Sequence, residues 1–166
     1  SANRVFVPEM LIAARCMSAA TELLKPYMVG EGGESATVGS AVIGTVRGDM
    51  HDIGKNLVKI MMEGSGIEVY DLGTDVSAEQ FVETAVEHDC GIIACSSLLT
   101  TTMNEMRRVV SLAQEKGIRK KVRILIGGAP ISQSFCDEIG ADVYTEDAGA
   151  AARAAVEMLK TCQNGK

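Results

Sequence analysis

A chain of 166 residues, 46% of them hydrophobic, has the length of one ordinary domain plus an appendage and enough apolar content to exclude a disordered chain. Its formal charge of −6 argues against a nucleic-acid partner, because phosphate binding needs a basic footprint. No apolar run is long enough to span a bilayer and no signal-peptide pattern is present, so no membrane partner is expected. The five cysteines, none in a C-x-x-C pair, are expected as free thiols of a reducing cytoplasm.

The stretch "VPEMLIAARCMSAATELLKPYM" reads as an amphipathic helix: Pro8 suits its first turn, and Met10, Leu11, Ala14, Met17, Leu24 and Met28 share helical spacing. Pro26 ends or kinks it. Residues 1–30 are therefore expected to hold one helix of a larger helical unit, since a lone helix has too few neighbours to bury its apolar stripe. The first residue is Ser1, and further helices are expected to precede it. "GEGGES" (30–35) has linker composition, and the linker is expected over residues 31–39.

From residue 40 to 166 short apolar strands alternate with helices. Strands are expected at 41–46, 67–72, 91–96, 122–127 and 142–145, and helices near 55–63, 78–88, 103–116, 131–139 and 148–162. The middle strands are continuously apolar, as in a parallel sheet covered on both faces. This alternation predicts a doubly wound α/β domain with a flavodoxin-like five-stranded sheet. Ligands of such sheets bind beyond the carboxyl ends of the strands, where the winding reverses. His51 follows the first strand, Ser96 and "LLTTT" the third, "GGAP" the fourth and "EDAGA" the fifth, so these loops should share one edge.

Several occupants of that edge are excluded by named residues. Gly44, Gly48 and Gly54 do not have G-x-G-x-x-G spacing, and no phosphate-binding G-x-x-x-x-G-K-[ST] is present. Asp49 and Asp52 would repel a phosphate in the first loop. The phospho-acceptor position of a receiver domain holds Cys95 and Ser96. An imidazole with a carboxylate two residues away suits a metal ligand whose second ring nitrogen donates to that carboxylate, fixing tautomer and basicity. One histidine holds a bare ion poorly, so the metal should arrive within a macrocycle that leaves an axial position open.

"DMHDIGKN" resembles the D-x-H-x-x-G motif of cobalamin-binding modules, and "GTVRGDMHDIGKN" as a whole is similar to their methyltransferase branch. The similarity continues through "SSLLTTTMNEM", with Ser96-Ser97-Leu98 as its S-x-L element, and "IGGAPIS". It covers residues 6 to 160 and points to the small corrinoid proteins of methyltransferase systems, with the cobalamin module of methionine synthase a further relative. By this resemblance cobalamin binds base-off, its benzimidazole tail in a slot of the sheet edge, and His51 is the cobalt ligand. Asp49 would hydrogen-bond His51, and Thr102 would contact Asp49. Ser96 would bond the tail, with Thr100 nearby, while Gly127 and Gly128 keep the slot open. Gly48, Met50, Asp52, Ile53, Gly54, Leu98 and Ala148 match further contact positions, and Val7 a contact from a helical cap.

The resemblance implies a methyl carrier that is not catalytic alone. Its partners would be a substrate-specific methyltransferase, an acceptor methyltransferase using tetrahydrofolate or a thiol, and a reductive activation protein. Two other functions share D-x-H-x-x-G: the cobalamin subunit of an adenosylcobalamin mutase, and a cobalamin-sensing regulator. Plainer structural roles stand beside these. His51 serves equally as a turn residue, Gly127-Gly128 as a strand-end turn, and Thr102 with Glu105 as a capping box. His88 reads as part of a solvated face, Lys55 and Asn56 as a helix opening, and Cys95 as packing.

Overall fold

The structure, a computed structural model, describes residues 37–163 together with Glu9, Ile12, Ala13, Cys16 and Ala19. Those five are helical and fall within the expected opening helix. The rest of that helix, residues 31–36 of the linker and Val7 lie outside the described residues.

Five strands, β1 (Gly39–Thr45), β2 (Ile67–Asp71), β3 (Ile92–Ser96), β4 (Arg123–Gly127) and β5 (Val143–Thr145), alternate with helices. These are α1 (Ile53–Gly64), α2 (Ala78–Glu87), α3 (Met103–Glu115), α4 (Gln133–Ile139) and α5 (Ala148–Gln163). Every pairing is parallel and the order is β2-β1-β3-β4-β5, the flavodoxin-like order. The winding reverses between β1 and β3, where Thr45 stands opposite Ser96.

The strands alternate their side chains between two apolar layers, as the period of two requires. Val42, Ile93, Cys95, Ile124 and Ile126 pack with Phe81, Val109 and Phe135 beneath α2, α3 and α4. Ala41, Ile43, Ile92, Ala94 and Leu125 pack with Met62, Ala151, Ala155 and Leu159 beneath α1 and α5. Burial on both faces explains why the central strands read as unbroken apolar runs. Cys95 is part of this core, and burial pushes its thiol pKa up.

Local chemistry sets the helix ends. Ser77 and Gln80 form a capping box on α2, with Ser77 Oγ accepting from Gln80 N at 3.3 Å and Gln80 Oε1 accepting from Ser77 N at 3.0 Å. His88 caps the other end of α2; it is exposed, as expected, and its ring stacks on Tyr70 at 3.9 Å. Lys55 and Asn56 lie in the first turn of α1, as expected. Lys55, however, is 2% exposed and its ammonium lies 2.6 Å from Asp71 Oδ1, tying α1 to the end of β2. Among the described residues no helix is long and apolar enough to cross a membrane.

Candidate functional site

The loops following β1 and β3 meet where the winding reverses, and Asp49 joins them. Its side chain is fully buried, a costly position for a carboxylate unless donors surround it. Oδ2 accepts from the amides of Leu98 at 2.7 Å and Leu99 at 3.2 Å and from the Thr102 hydroxyl at 3.3 Å. Oδ1 accepts from the His51 amide at 3.0 Å and lies 2.7 Å from His51 Nδ1. Burial pushes the Asp49 pKa up, but the Leu98 and His51 amides, the His51 ring and the Leu99 amide together outweigh it. They hold the carboxyl far below the usual carboxylate range.

An anionic acceptor at 2.7 Å assigns the proton of the neutral His51 ring to Nδ1. Nε2 then carries a free lone pair, and no described residue bonds it. The His51 side chain is 52% exposed, so that nitrogen is available to a ligand. Buried carboxylate, tethered ring and open second nitrogen together make a ligand of defined tautomer and fixed orientation.

The loop carrying His51 is held from three sides. Gly48 takes φ +81°, a left-handed conformation that favours glycine. Its amide donates to Asp75 Oδ1 at 2.7 Å, while the Asp75 amide donates to the Asp49 carbonyl at 3.0 Å. Asp75 itself has φ +56°, uncommon for a residue with a Cβ. The buried Thr45 hydroxyl donates to the His51 carbonyl at 2.8 Å. Neither Thr45 nor Asp75 was expected from the sequence. Their only signal there was position at the ends of the first two strands.

The remaining expected residues surround this centre. Met50 is 70% exposed and Ile53 83%, and Leu98 and Leu99 are also exposed, giving the histidine an apolar rim. Asp52 precedes α1 and accepts from Asn56 Nδ2 at 3.1 Å, and Gly54 opens onto free space. Ser96 ends β3, where its carbonyl accepts from Val46 N; Thr100 is exposed, and Ala148 is buried at the start of α5. None of Ser96, Thr100 or Ala148 contacts His51 through a hydrogen bond.

One expectation changes. The capping box of Thr102 and Glu105 does not form: the Thr102 hydroxyl makes no cap bond and instead reaches Leu99 O at 2.9 Å, Ser97 Oγ at 2.8 Å and Asp49. A buried carboxylate and hydroxyl compete for it more strongly than the exposed-end amides do. Gly128 has an internal reason to be glycine: at φ +136°, an added Cβ would stand 1.8 Å from the Ser97 carbonyl oxygen. At Gly127 a Cβ would meet Thr145 O at 3.4 Å, a tolerable contact.

Among the described residues no group of three or more His, Cys, Asp or Glu side chains is arranged to hold a metal ion. A single exposed imidazole nitrogen within an apolar rim instead fits a metal bringing its own equatorial ligands. Cavities of about 840 Å³ beside Ser40, Cys90 and Arg123, and of about 370 Å³ beside Ser65 and Arg153, lie away from His51.

The model of the B12 binding domain matches residues 39–157. The chain is 45% identical over 157 residues to "Dimethylamine corrinoid protein 1" of Methanosarcina acetivorans, covering 95% of this chain and 73% of the relative. A cobalamin-binding protein of Desulfitobacterium hafniense has a similar structure, with TM-score 0.77, 32% identity, and coverage of 96% and 71%. A chain of the methanol:cobalamin methyltransferase complex of Methanosarcina barkeri superposes with TM-score 0.81 and 31% identity, covering 94% of this chain and 58% of that one.

Proposed function

Because the chain belongs to the B12-binding corrinoid proteins of methyltransferase systems, it binds a cobalamin or related corrinoid, and we propose that it carries a methyl group on the corrinoid cobalt between two methyltransferases. The observation that carries this reading is the 2.7 Å contact of His51 Nδ1 with the buried Asp49 carboxylate, which leaves Nε2 open, so that His51 would be the residue to hold the cobalt in place of the cofactor's own base. The bound corrinoid supplies a cobalt able to accept and release a methyl group.

The protein's part is to hold that ligand and its proton. Asp49 keeps Nδ1 protonated, and the Leu98, Leu99 and Thr102 donors keep Asp49 anionic. The exposed side chains of Met50, Ile53, Leu98 and Leu99 would offer an apolar ledge to the macrocycle.

In this reading Ser96, Thr100, Gly127 and Gly128 line the path of the nucleotide tail, with Gly48, Asp52, Gly54 and Ala148 as neighbouring contacts. The same reading assigns residues 1–30, with Val7, to a helical cap domain, 31–39 to a linker and 40–166 to the cobalamin-binding domain. The methyl donor is served by one methyltransferase and the acceptor by another, with a reductive activation protein restoring the active cobalt. Relatives named for dimethylamine make methylamines the first donors to assay. A reducing, cytoplasmic setting accords with the free thiols of Cys90, Cys95 and Cys136.

The test is paramagnetic resonance of the reconstituted protein reduced to Co(II), with ¹⁵N-labelled histidine. Hyperfine coupling to a protein nitrogen, lost in His51→Gly, is expected. Coupling to the benzimidazole nitrogen in the unaltered protein overturns the axial role of His51.

A further inference from the structure

Ser97 is fully buried, yet its hydroxyl contributes to neither layer of the core and has no place in the ligand assignment above. It lies 2.8 Å from Thr102 Oγ1, and Thr102 Oγ1 lies 3.3 Å from Asp49 Oδ2. Both hydroxyls also approach the Leu99 carbonyl, Thr102 at 2.9 Å and Ser97 at 3.2 Å. Two hydroxyl hydrogens therefore serve four contacts, and each hydroxyl donates once.

Three arrangements keep the 2.8 Å contact bonded and use both hydrogens on distinct partners. In the first, Ser97 donates to Thr102 and Thr102 donates to Asp49. In the second, Ser97 donates to Thr102 and Thr102 to the Leu99 carbonyl; in the third, Thr102 donates to Ser97 and Ser97 to the Leu99 carbonyl, and in both of these Asp49 loses the hydroxyl. An ionised acceptor favours the first, and each bond in a chain polarises the next. The Leu99 carbonyl is already satisfied in that arrangement, since the Thr102 amide donates to it at 3.1 Å.

We infer that Ser97 is a positioning residue, which by donating to Thr102 directs the Thr102 hydroxyl onto the Asp49–His51 pair. Without it, the Thr102 hydroxyl loses the donor that polarises it, and its 3.3 Å bond to Asp49 weakens against the nearer Leu99 carbonyl at 2.9 Å. The carboxylate then draws more strongly on His51 Nδ1–H. Ser97 is itself held in place from β4: its amide donates to the Gly127 carbonyl at 3.1 Å, and the missing Cβ of Gly128 makes room for its carbonyl. The strand end carrying the glycine pair is thus joined mechanically to the histidine.

The consequence for cobalt rests on the axial-ligand reading, but the hydroxyl relay does not, so the test begins with the full chain free of corrinoid. The proton shift of His51 Nδ1–H is measured at about pH 9, above the ordinary imidazole range. Ser97→Ala and Thr102→Val should each move it downfield, Ser97→Ala should add nothing in the Thr102→Val background, and Ser97→Thr, which keeps the hydroxyl, should retain the original shift. An unmoved shift in Ser97→Ala, or additive shifts in the double variant, overturns the inference. Co(II) resonance of the loaded variants then reads the second step separately. Benzimidazole coupling there would remove the axial role of His51 while leaving the relay standing.

Discussion

The carboxylate of Asp75 accepts the Gly48 amide at 2.7 Å while the Asp75 amide donates to the Asp49 carbonyl at 3.0 Å, so one residue after β2 grips the histidine loop at two consecutive residues. The grip requires Asp75 to sit at φ +56°, a conformation sparsely populated by residues with a Cβ. Asp75→Ala removes the side-chain bond and keeps the backbone constraint; Asp75→Gly removes the bond but relaxes the constraint. Both should speed Gly48 amide exchange on the order of tenfold, the loss of about one hydrogen bond. Asp75→Asn, which retains an acceptor oxygen, should not. Equal exchange in all four proteins would show that the backbone alone fixes the loop.

Asp49→Asn tests the carboxylate as orienter. An asparagine oxygen still accepts from the Leu98 and Leu99 amides, which leaves the amide nitrogen to face His51. Nδ1 must then accept, and the ring proton moves to Nε2, the nitrogen assigned to cobalt. The variant is expected to retain corrinoid while losing about 10–100-fold in axial affinity or methyl transfer. The Co(III) absorption spectrum and single-turnover methyl transfer report it; if neither changes, Asp49 does not act through the ring.

Lys55 and Asp71 join α1 to β2 from a position where the ammonium is 2% exposed and the carboxylate side chain 20%. Burial raises the Asp71 pKa, but the hydrogen bonds from Lys55 and the Gly73 amide and the charge of Lys55 hold it below the ordinary value. A carboxyl depressed in the folded state contributes stability that is complete above the unfolded pKa of about 4 and is lost as pH falls through the folded value. Asp71→Ala leaves a buried ammonium without its partner, a loss of about 3 kcal/mol. Urea unfolding should show the variant less stable at pH 7, with the gap closing below about pH 4. A gap independent of pH would assign the loss to packing.

Strand order and element bounds were legible because each central strand is an unbroken apolar run between glycine-bearing turns, and each helix repeats its apolar positions. All ten elements lie within two residues of their expected ends. His51, Asp49 and Thr102 were legible as a group because they fall in motifs at the ends of β1 and β3. The supports were not. Asp75 lies 27 residues from Gly48 and Ser97 contacts Gly128 across two strands, relations that exist only once the sheet register is formed. Local spacing even misdirected the reading of Thr102, whose position three residues before Glu105 suggests a cap while the tertiary fold sends its hydroxyl to Asp49.

Cys95, near the functional loops, and Cys90, at the opposite end of β3, illustrate a different case, side chains that the fold makes inert. Burial pushes the Cys90 thiol up to about 11, and the Cys95 thiol higher still. The thiolate is the reactive form, so both should resist alkylation in the native protein at pH 8 and react on unfolding, whereas Cys16 is exposed. Peptide mapping after brief iodoacetamide treatment checks this. Native labelling of Cys95 at the rate of Cys16 would mean that the sheet edge opens.

Gly128→Ala offers the sharpest separation of internal packing from cofactor demand. The added Cβ would meet the Ser97 carbonyl oxygen at 1.8 Å, carbonyl carbon at 2.8 Å and amide at 3.2 Å, all backbone atoms, in a φ +136° conformation that alanine rarely adopts. Relief requires the loop after β3 to shift, and with it the Leu98 and Leu99 amides that neutralise Asp49. The variant should therefore be destabilised by about 2 kcal/mol or more without corrinoid present, in the range of strained-backbone substitutions. Its His51 Nδ1–H signal should broaden or move as the donors withdraw. Gly127→Ala, meeting Thr145 O at 3.4 Å and Thr145 Oγ1 at 3.8 Å, should leave both stability and signal nearly unaltered in the corrinoid-free protein and weaken corrinoid binding alone. A Gly128→Ala chain as stable as the original until corrinoid is added would instead place the demand for glycine wholly with the cofactor.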